Sequence, residues 1–322
     1  MRSLFFEGLA CLDLLEVYGN SKFAGGLLHL SQSNVYRGAM SLSDALGLGL
    51  MKRSGAYQCH RNGDVVDRLR EASRLLRSRG GPPLRLLADY RSPTRLDALP
   101  NDVWLLPQTW LGSRHSLQAL DKGLLDLLIL RSSELLPILS LDPLRIVVGS
   151  LVSTPAYSLL PLNTESVQVY ARLDHPLHLR SNLAPVDLLA YPSPAFSEKQ
   201  FPGLRDRYRR HGLWGEPVAG PVMQPGFWEA LALEKGMLIA STPNAVTAAT
   251  HHCPGALAPI DYPMDLVDHD VLVLPTALRD EPLVQQVIHA IAGHYNLLLP
   301  APRRVHGLSH SQLAPSGARI PA

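Results

Sequence analysis

Polar side chains suited to contacts with DNA are grouped near the N-terminus. The set is Lys22, Ser31, Gln32, Ser33, Tyr36, Arg37, Lys52 and Arg53. Glutamine can bond N6 and N7 of adenine and arginine can bond O6 and N7 of guanine, whereas serine and tyrosine more often contact phosphates. Because Gln32 and Arg37 lie close together in the sequence, this pattern predicts a surface that reads base edges and binds the phosphate backbone.

Three helices and a basic hairpin are predicted to position these side chains. Apolar residues recur at a helical period over 5–18, and a short helix is expected over 21–28. Ser31 is a good N-cap for a third helix, which Gly47 ends. Residues 49–61 then read as a hairpin, so residues 1–62 are interpreted as a winged helix-turn-helix domain.

A longer helix is expected next, capped by Asp64 and continuing to Arg79. It carries an apolar seam, which consists of Val65, Leu69, Ala72 and Leu76. Such a seam can pack on the helix of a second copy or on the helix's own domain, and dimerisation is the favoured reading because a linking helix has little else to cover it. Residues 63–80 are therefore interpreted as a linker and dimerisation helix, ended by the break Gly80-Gly81-Pro82-Pro83.

Short apolar runs alternate with helical patterns over residues 84–299, which predicts an α/β domain. Ser92-Pro93-Thr94 follows the first predicted strand, where hydroxyls and a helix N-terminus could hold a small carboxylate, although a capped turn is an equal alternative. Residues 300–322 are rich in proline, serine, glycine, histidine and arginine and are expected to form a flexible tail.

Composition excludes several classes of protein. The chain has 322 residues, of which 46% are hydrophobic and 18% charged, so it is neither disordered nor fibrous. No apolar run is long enough to cross a bilayer and no secretory signal is evident, which predicts a cytoplasmic protein. Three separated cysteines indicate neither a disulfide framework nor a zinc site. Residues 1–80 hold 11 Lys/Arg against 7 Asp/Glu, which favours an anionic partner for this part.

Catalytic and cofactor motifs are not found in the sequence. The triplet His251-His252-Cys253 is interpreted as loop, because neighbouring side chains rarely point at one metal ion. Leu46-Gly47-Leu48-Gly49 follows a helix rather than a strand, which argues against a phosphate-binding loop. With no nucleophile elbow and no H-E-x-x-H motif, we expect no enzyme activity, no cofactor and no metal.

Several stretches together resemble the LysR-type transcriptional regulators over about residues 5–295. They are Gly19-Asn20 through Ala24-Gly25, Leu28 through Gln32, Val35, Arg37, Leu42, Leu46-Gly47, Leu50, Lys52-Arg53, Asp121 through Ile129, Asp174-His175-Pro176-Leu177, and Gly236 through Ala240 with Pro243. The resemblance implies an α/β protein with an N-terminal all-α winged helix-turn-helix and a linker helix. These would be followed by a two-lobed effector-binding domain of periplasmic-binding-protein type. It also implies a homodimer or homotetramer.

Two further residues become candidates through this resemblance. Ser193 and Phe196 lie early in the second lobe and, with Ser92 and Thr94, are predicted to line the effector pocket. The predicted function is sequence-specific binding of double-stranded DNA, modulated by a small-molecule effector such as a carboxylate. The alternative is a diverged ligand-binding or interaction protein of the same fold that no longer reads DNA, which the helix-breaking pair Gly25-Gly26 favours.

Overall fold

The structure is a computed structural model. It describes residues 4–53, 56–88, 96, 99–106, 113–140, 147–195, 201–214, 216–218, 226–250, 256–264 and 266–299. Four sequence predictions lie outside these residues: the pocket residues Ser92, Thr94 and Phe196, and the loop at 251–253. The C-terminal segment 300–322 lies outside them as well.

Helices and strands alternate along most of the described chain. The helices are α1 (Leu4–Tyr18), α2 (Ser21–Leu28), α3 (Gln32–Leu46), α4 (Gly63–Ser78), α5 (Ser113–Asp121), α6 (Ser132–Leu139), α7 (Pro185–Leu188), α8 (Pro202–Arg210), α9 (Phe227–Lys235), α10 (Pro243–Ala249) and α11 (Pro282–His294). The strands are β1 (Leu50–Arg53), β2 (Ala56–Cys59), β3 (Leu84–Ala88), β4 (Val103–Leu106), β5 (Leu127–Arg131), β6 (Val152–Ser153), β7 (Tyr157–Pro161), β8 (Glu165–Ser166), β9 (Gln168–Arg172), β10 (Pro192–Pro194), β11 (Glu216–Val218), β12 (Ile239–Ser241), β13 (Leu257–Pro259), β14 (Val267–Asp268) and β15 (Asp270–Pro275).

The first lobe of the α/β part is built on a six-stranded mixed sheet in the order β4-β3-β5-β15-β7-β6. β3 runs parallel to β4 and β5, whereas β15 runs antiparallel to β5 and β7. β3 and β5 are buried along their whole length, as expected for central strands covered on both faces. α11 packs on one face of this sheet, through Val284, Val287 and Ile291.

The second lobe has its own core around the antiparallel sheet β12-β9-β13 and the parallel pair β10-β11. α7, α8 and α9 supply much of that core, which includes Leu188, Tyr208 and Trp228. The two-stranded pair β8-β14 lies where the chain passes from one lobe to the other. β8 follows β7 of the first lobe and precedes β9 of the second, and β14 follows β13 of the second lobe and precedes β15 of the first. The fold class predicted from the sequence is therefore confirmed.

The N-terminal elements form the predicted three helices and hairpin, here called the head (α1–α3 with β1 and β2). Its apolar side chains belong to the same buried cluster as the sheet face opposite α11. From the head this cluster includes Leu12, Leu15 and Val35, and from the sheet Leu128 and Val273. The core of the head is thus continuous with that of the first lobe.

Some local predictions are corrected by the structure. Asp64 is not the cap of α4: the N-cap is Asn62, which has a positive φ of 47° and bonds the carbonyl of Leu46 instead of the helix. The sequence reading missed α6 and the buried strand β7. The apolar run over residues 144–148 predicts a further strand; most of it lies outside the described residues, and Val147 and Val148 belong to no strand.

Candidate nucleic-acid interface

Capping interactions define the starts of α2 and α3 and the end of α2. The Asn20 side chain accepts from the Lys22 N–H at 2.8 Å and so begins α2. The Ser31 hydroxyl accepts from the Asn34 N–H at 3.2 Å and so begins α3. Between them His29 takes the left-handed conformation, with φ of 55°, that ends α2. These local interactions therefore define the bounds of the two helices and of the short turn between them.

Gly25 is required by this turn. A Cβ at this position would lie 2.5 Å from the carbonyl oxygen of Leu30, whose N–H donates to the carbonyl of Gly25 at 2.9 Å. A side chain would therefore push α2 and the start of α3 apart. The glycine that looked helix-breaking in the sequence has a packing reason in the helix-turn-helix, whereas Gly26 faces open space.

α3 has one face inside the head and one outside. Val35, Ala39 and Leu42 are buried against α1 and α2. The other face leaves Gln32, Ser33, Tyr36 and Arg37 exposed, with Tyr36 at 45%. The structure therefore brings these four candidates together on one accessible surface, with the capping Ser31 at its start.

The hairpin lies beside this surface. The ammonium of Lys52 sits 5.2 Å from the centre of the Tyr57 ring, and that ring meets Tyr36 edge-on at 6.3 Å. The two aromatic rings thus connect the hairpin to α3. Lys22, at the start of α2, is exposed, and Arg53 ends β1 where it pairs with Ala56. Lys52 of the hairpin is therefore linked to the exposed face of α3 through these two rings.

The predicted seam of α4 faces solvent in the single chain. Val65, Ala72 and Leu76 are exposed, with Leu76 at 43%, and Leu69 is half-buried. The opposite face, with Val66, is buried against the rest of the chain. The expectation that this helix has nothing of its own chain to pack on is wrong, because one side of it is covered.

The covered side is charged, which sequence reasoning missed. Arg70 donates from Nε to Asp13 Oδ1 at 2.8 Å and from Nη2 to Glu16 at 2.7 Å. Arg85 of β3 donates from Nη1 to the other oxygen of Asp13 at 2.8 Å. Burial by itself raises the pKa of the Asp13 carboxyl, but Arg70 and Arg85 together outweigh it, so the pKa lies below its ordinary value.

A second buried ion pair continues this network. Arg77 donates from Nε and Nη2 to the two oxygens of Asp126 at 2.7 and 2.8 Å, in the bidentate geometry that suits a guanidinium. The backbone N–H of Arg85 donates to the same carboxylate at 2.8 Å. The sequence does contain a signal for this network: Arg70, Arg74 and Arg77 have the i, i+4, i+7 spacing of one helix face.

The candidate effector residues are only partly placed. Ser193 is fully buried on β10, and its hydroxyl has no hydrogen-bond partner among the described residues. A separate cavity of about 520 Å³ lies between α6 and α8, and its lining includes Ser132, Ser133, Arg207, Arg210 and His211. Ser193 is not among its lining residues, and the sequence reading missed this cavity because it missed α6.

No helix in the described part of the chain is long and apolar enough to cross a membrane. No group of three or more His, Cys, Asp or Glu side chains is placed to hold a metal ion within the same part of the chain.

Comparison with solved structures defines the class of this fold. The chain is similar to full-length OxyR from Pseudomonas aeruginosa, with a TM-score of 0.52 and 15% identity over 92% of this chain and 95% of that one. It also matches ArgP from Mycobacterium tuberculosis (TM-score 0.49, 18% identity, 91% and 97% covered). A third match is HypT from Salmonella typhimurium, a hypochlorite-specific LysR-type transcriptional regulator (0.46, 14%, 92% and 98%).

At these identities the likeness establishes the fold alone, which is the fold of full-length OxyR. No protein-family model matches the sequence, and no curated protein matches it.

Proposed function

We propose that this chain is a DNA-binding transcriptional regulator of LysR type, whose sequence-specific DNA binding is modulated by a small-molecule effector. The observation that carries the proposal is the exposed polar face of α3, which presents Gln32 and Arg37 to solvent while apolar side chains anchor the opposite face. The overall fold, similar to OxyR along nearly the whole chain, supports it. The packing role of Gly25 removes one argument for the alternative that the head no longer reads DNA.

The functions that we propose for the parts of the chain follow the domain boundaries predicted from the sequence. Residues 1–62 bind DNA, residues 63–80 link and dimerise, residues 84–299 bind the effector, and residues 300–322 are a tail. In the first of these we assign base contacts to Gln32 and Arg37 and phosphate contacts to the remaining polar candidates. Such a regulator works on DNA in the cytoplasm, and we assign the chain no catalytic role.

The exposed seam of α4 supports a homodimer. Apolar side chains at positions 65, 72 and 76 lie on one side of the helix and are exposed in the described part of the chain. A second copy presenting the same face would bury them, since helices pair through seams of this spacing. A dimer would also bring two heads to two half-sites of DNA. A tetramer would pair two such dimers.

The effector is proposed to be a small anion bound between the lobes. The cavity between α6 and α8 has the size of a small-molecule site, and Arg207, Arg210 and His211 line one side of it. The buried Ser193 hydroxyl, which has no hydrogen-bond partner among the described residues, lies outside this lining and does not contribute to this cavity. The lining also contains Asp206, and Arg207 pairs with Asp268 at 3.3 Å, so we assign the contact with a bound carboxylate to Arg210.

Fluorescence anisotropy with a labelled duplex from the region upstream of the chain's own gene tests DNA binding. We expect the logarithm of affinity to fall linearly with the logarithm of salt concentration, with a slope of about −0.9 per phosphate contact. Arg37→Ala should reduce the ratio of specific to random-duplex affinity by about tenfold, if its base contact contributes about 1–3 kcal/mol. Arg209→Ala, an exposed arginine on α8, is the matched control and should change nothing. A salt slope of zero would remove the DNA-binding proposal.

Thermal melts against a panel of small carboxylates test the effector site. A ligand at 100 times its Kd should stabilise the native chain by about 2.7 kcal/mol. Arg210→Gln should weaken the shift, while Arg209→Gln, one residue away but outside the cavity lining, should leave it unchanged. Equal shifts in both variants would place the ligand elsewhere.

A further inference from the structure

One buried carboxylate joins the head to the rest of the chain. Asp13 of α1 is completely buried, and each of its two oxygens accepts a hydrogen bond at 2.8 Å. One donor is Arg70 of α4 and the other is Arg85 of β3, both nearly buried. Three elements that are distant in the sequence therefore meet at this side chain.

The position of α1 determines the position of the exposed face of α3, because the two helices are packed tightly together. The two helices cross closely at paired glycines: a Cβ on Gly8 would lie 3.2 Å from the carbonyl oxygen of Gly38, and a Cβ on Gly38 would lie 3.2 Å from the sulfur of Cys11. Gly38 directly follows Arg37 in the chain. A shift of α1 on β3 would therefore carry the exposed face of α3 with it.

Ion pairs restrict the orientation of the head on the first lobe more than apolar contacts would. An apolar surface can slide and still be buried, whereas a buried carboxylate that loses its arginine is left uncompensated in a dry environment. The neighbouring pair Arg77–Asp126 ties α4 to the turn before β5, and the Arg85 N–H ties β3 to the same carboxylate. All of these bonds are made together in the observed placement of α1, α4 and β3.

We propose that Asp13 is a positioning residue for DNA recognition: it holds the head in one orientation on the first lobe by binding Arg70 and Arg85 together. The proposal rests on the DNA-binding function proposed above. Two heads of a dimer can occupy two half-sites at once only if their separation and orientation match the DNA. A fixed head therefore strengthens binding to a full site, and it adds nothing to binding of a single half-site.

Asp13→Asn is the first test, because it keeps the shape and removes the charge. We expect affinity for the full upstream site to fall at least tenfold, and affinity for a duplex carrying one half-site to change less than twofold. Asp67→Asn is the matched control: its carboxylate lies 3.8 Å from Arg70 but is 59% exposed, and it should leave both affinities unchanged. Unchanged full-site affinity in Asp13→Asn, or an equal loss on both duplexes, overturns the proposal.

Hydrogen exchange without DNA separates this proposal from the proposed function. Amides of α1 and α4 should exchange at least tenfold faster in Asp13→Asn than in the wild type, while those of the second lobe stay unchanged. Unchanged exchange in α1 and α4 overturns the positioning role, even if the wild type binds no DNA.

A second variant covers the case in which Asp13→Asn does not fold. In Asp13→Leu/Arg70→Met/Arg85→Met the three charges are replaced by apolar side chains, an exchange that buried ion pairs often tolerate. This folded variant should show the same loss on the full site. Wild-type affinity for the full site in this variant overturns the proposal.

Discussion

Replacing Arg77 by methionine should destabilise the protein more than any exchange of an exposed charge. The guanidinium is 1% exposed and makes four hydrogen bonds, two to Asp126, one to the Ser73 hydroxyl at 2.9 Å and one to the Gly123 carbonyl at 2.9 Å. Methionine keeps most of the volume but leaves the fully buried Asp126 without its main partner.

The magnitude follows from what remains around Asp126. Removing one member of a buried pair costs about 3–5 kcal/mol, because a charge is left buried and uncompensated. Arg74 lies 3.8 Å from Asp126, and the Arg85 N–H still donates to it, so we expect a value near the lower end, about 3 kcal/mol. Arg68→Met is the control: its pair with Glu71 is 81% and 65% exposed, and its loss should cost under about 0.5 kcal/mol.

Urea unfolding followed by far-UV circular dichroism and tryptophan fluorescence measures both variants, with the slope m checked for constancy. The double variant Arg77→Met/Asp126→Asn removes both charges and keeps an acceptor for the Arg85 N–H. It should therefore lose at least about 1 kcal/mol less than the sum of the two single variants. Strictly additive losses, or a loss in Arg77→Met no larger than in Arg68→Met, would refute the reasoning.

Three shorter predictions follow from other parts of the chain. Leu76→Arg places a charge on the exposed seam of α4, so sedimentation should show a shift toward monomer with no loss of thermal stability; an unchanged dimer would place the interface elsewhere. The lowered pKa of Asp13 means that its contribution to stability is present above about pH 4 and is lost as the pH falls through the lowered pKa, so wild type and Asp13→Asn should converge in unfolding free energy in acid. Burial, with a smaller effect of Glu7, raises the pKa of the Cys11 thiol to about 11, so iodoacetamide at pH 8 should alkylate Cys11 far more slowly in the native than in the unfolded chain, and equal rates would contradict this.

The head was predictable because its structure is specified locally. Ser31 and Gly47 mark the ends of α3 by capping chemistry that acts within a few residues, and the structure shows both caps. The apolar residues that face the core follow the helical period, so the exposed side was defined at the same time. The central strands β3 and β5 of the first lobe are short apolar runs of the kind predicted over residues 84–299, and they are buried along their whole length.

What the sequence did not reveal depends on contacts between distant residues. Asp13 sits in a strongly apolar helix, and nothing nearby in the sequence indicates that Arg70 and Arg85 would neutralise it. α6 was missed because it follows β5 without a break: Arg131 ends the strand and Ser132 starts the helix. The cavity between α6 and α8 could not be predicted without that helix.

α4 shows why periodicity alone could not assign its two faces. The apolar residues at 65, 69, 72 and 76 and the arginines at 70, 74 and 77 both repeat at the spacing of a helix face, so the sequence contains two seams. The usual inference buries the apolar seam in the chain itself, whereas here the arginine side is buried, in ion pairs with Asp13 and Asp126, and the apolar side is largely exposed. A helix with this arrangement needs two neighbours of different chemistry. Its own chain supplies the carboxylates that set one orientation, and the apolar side is the one that we propose a second copy covers.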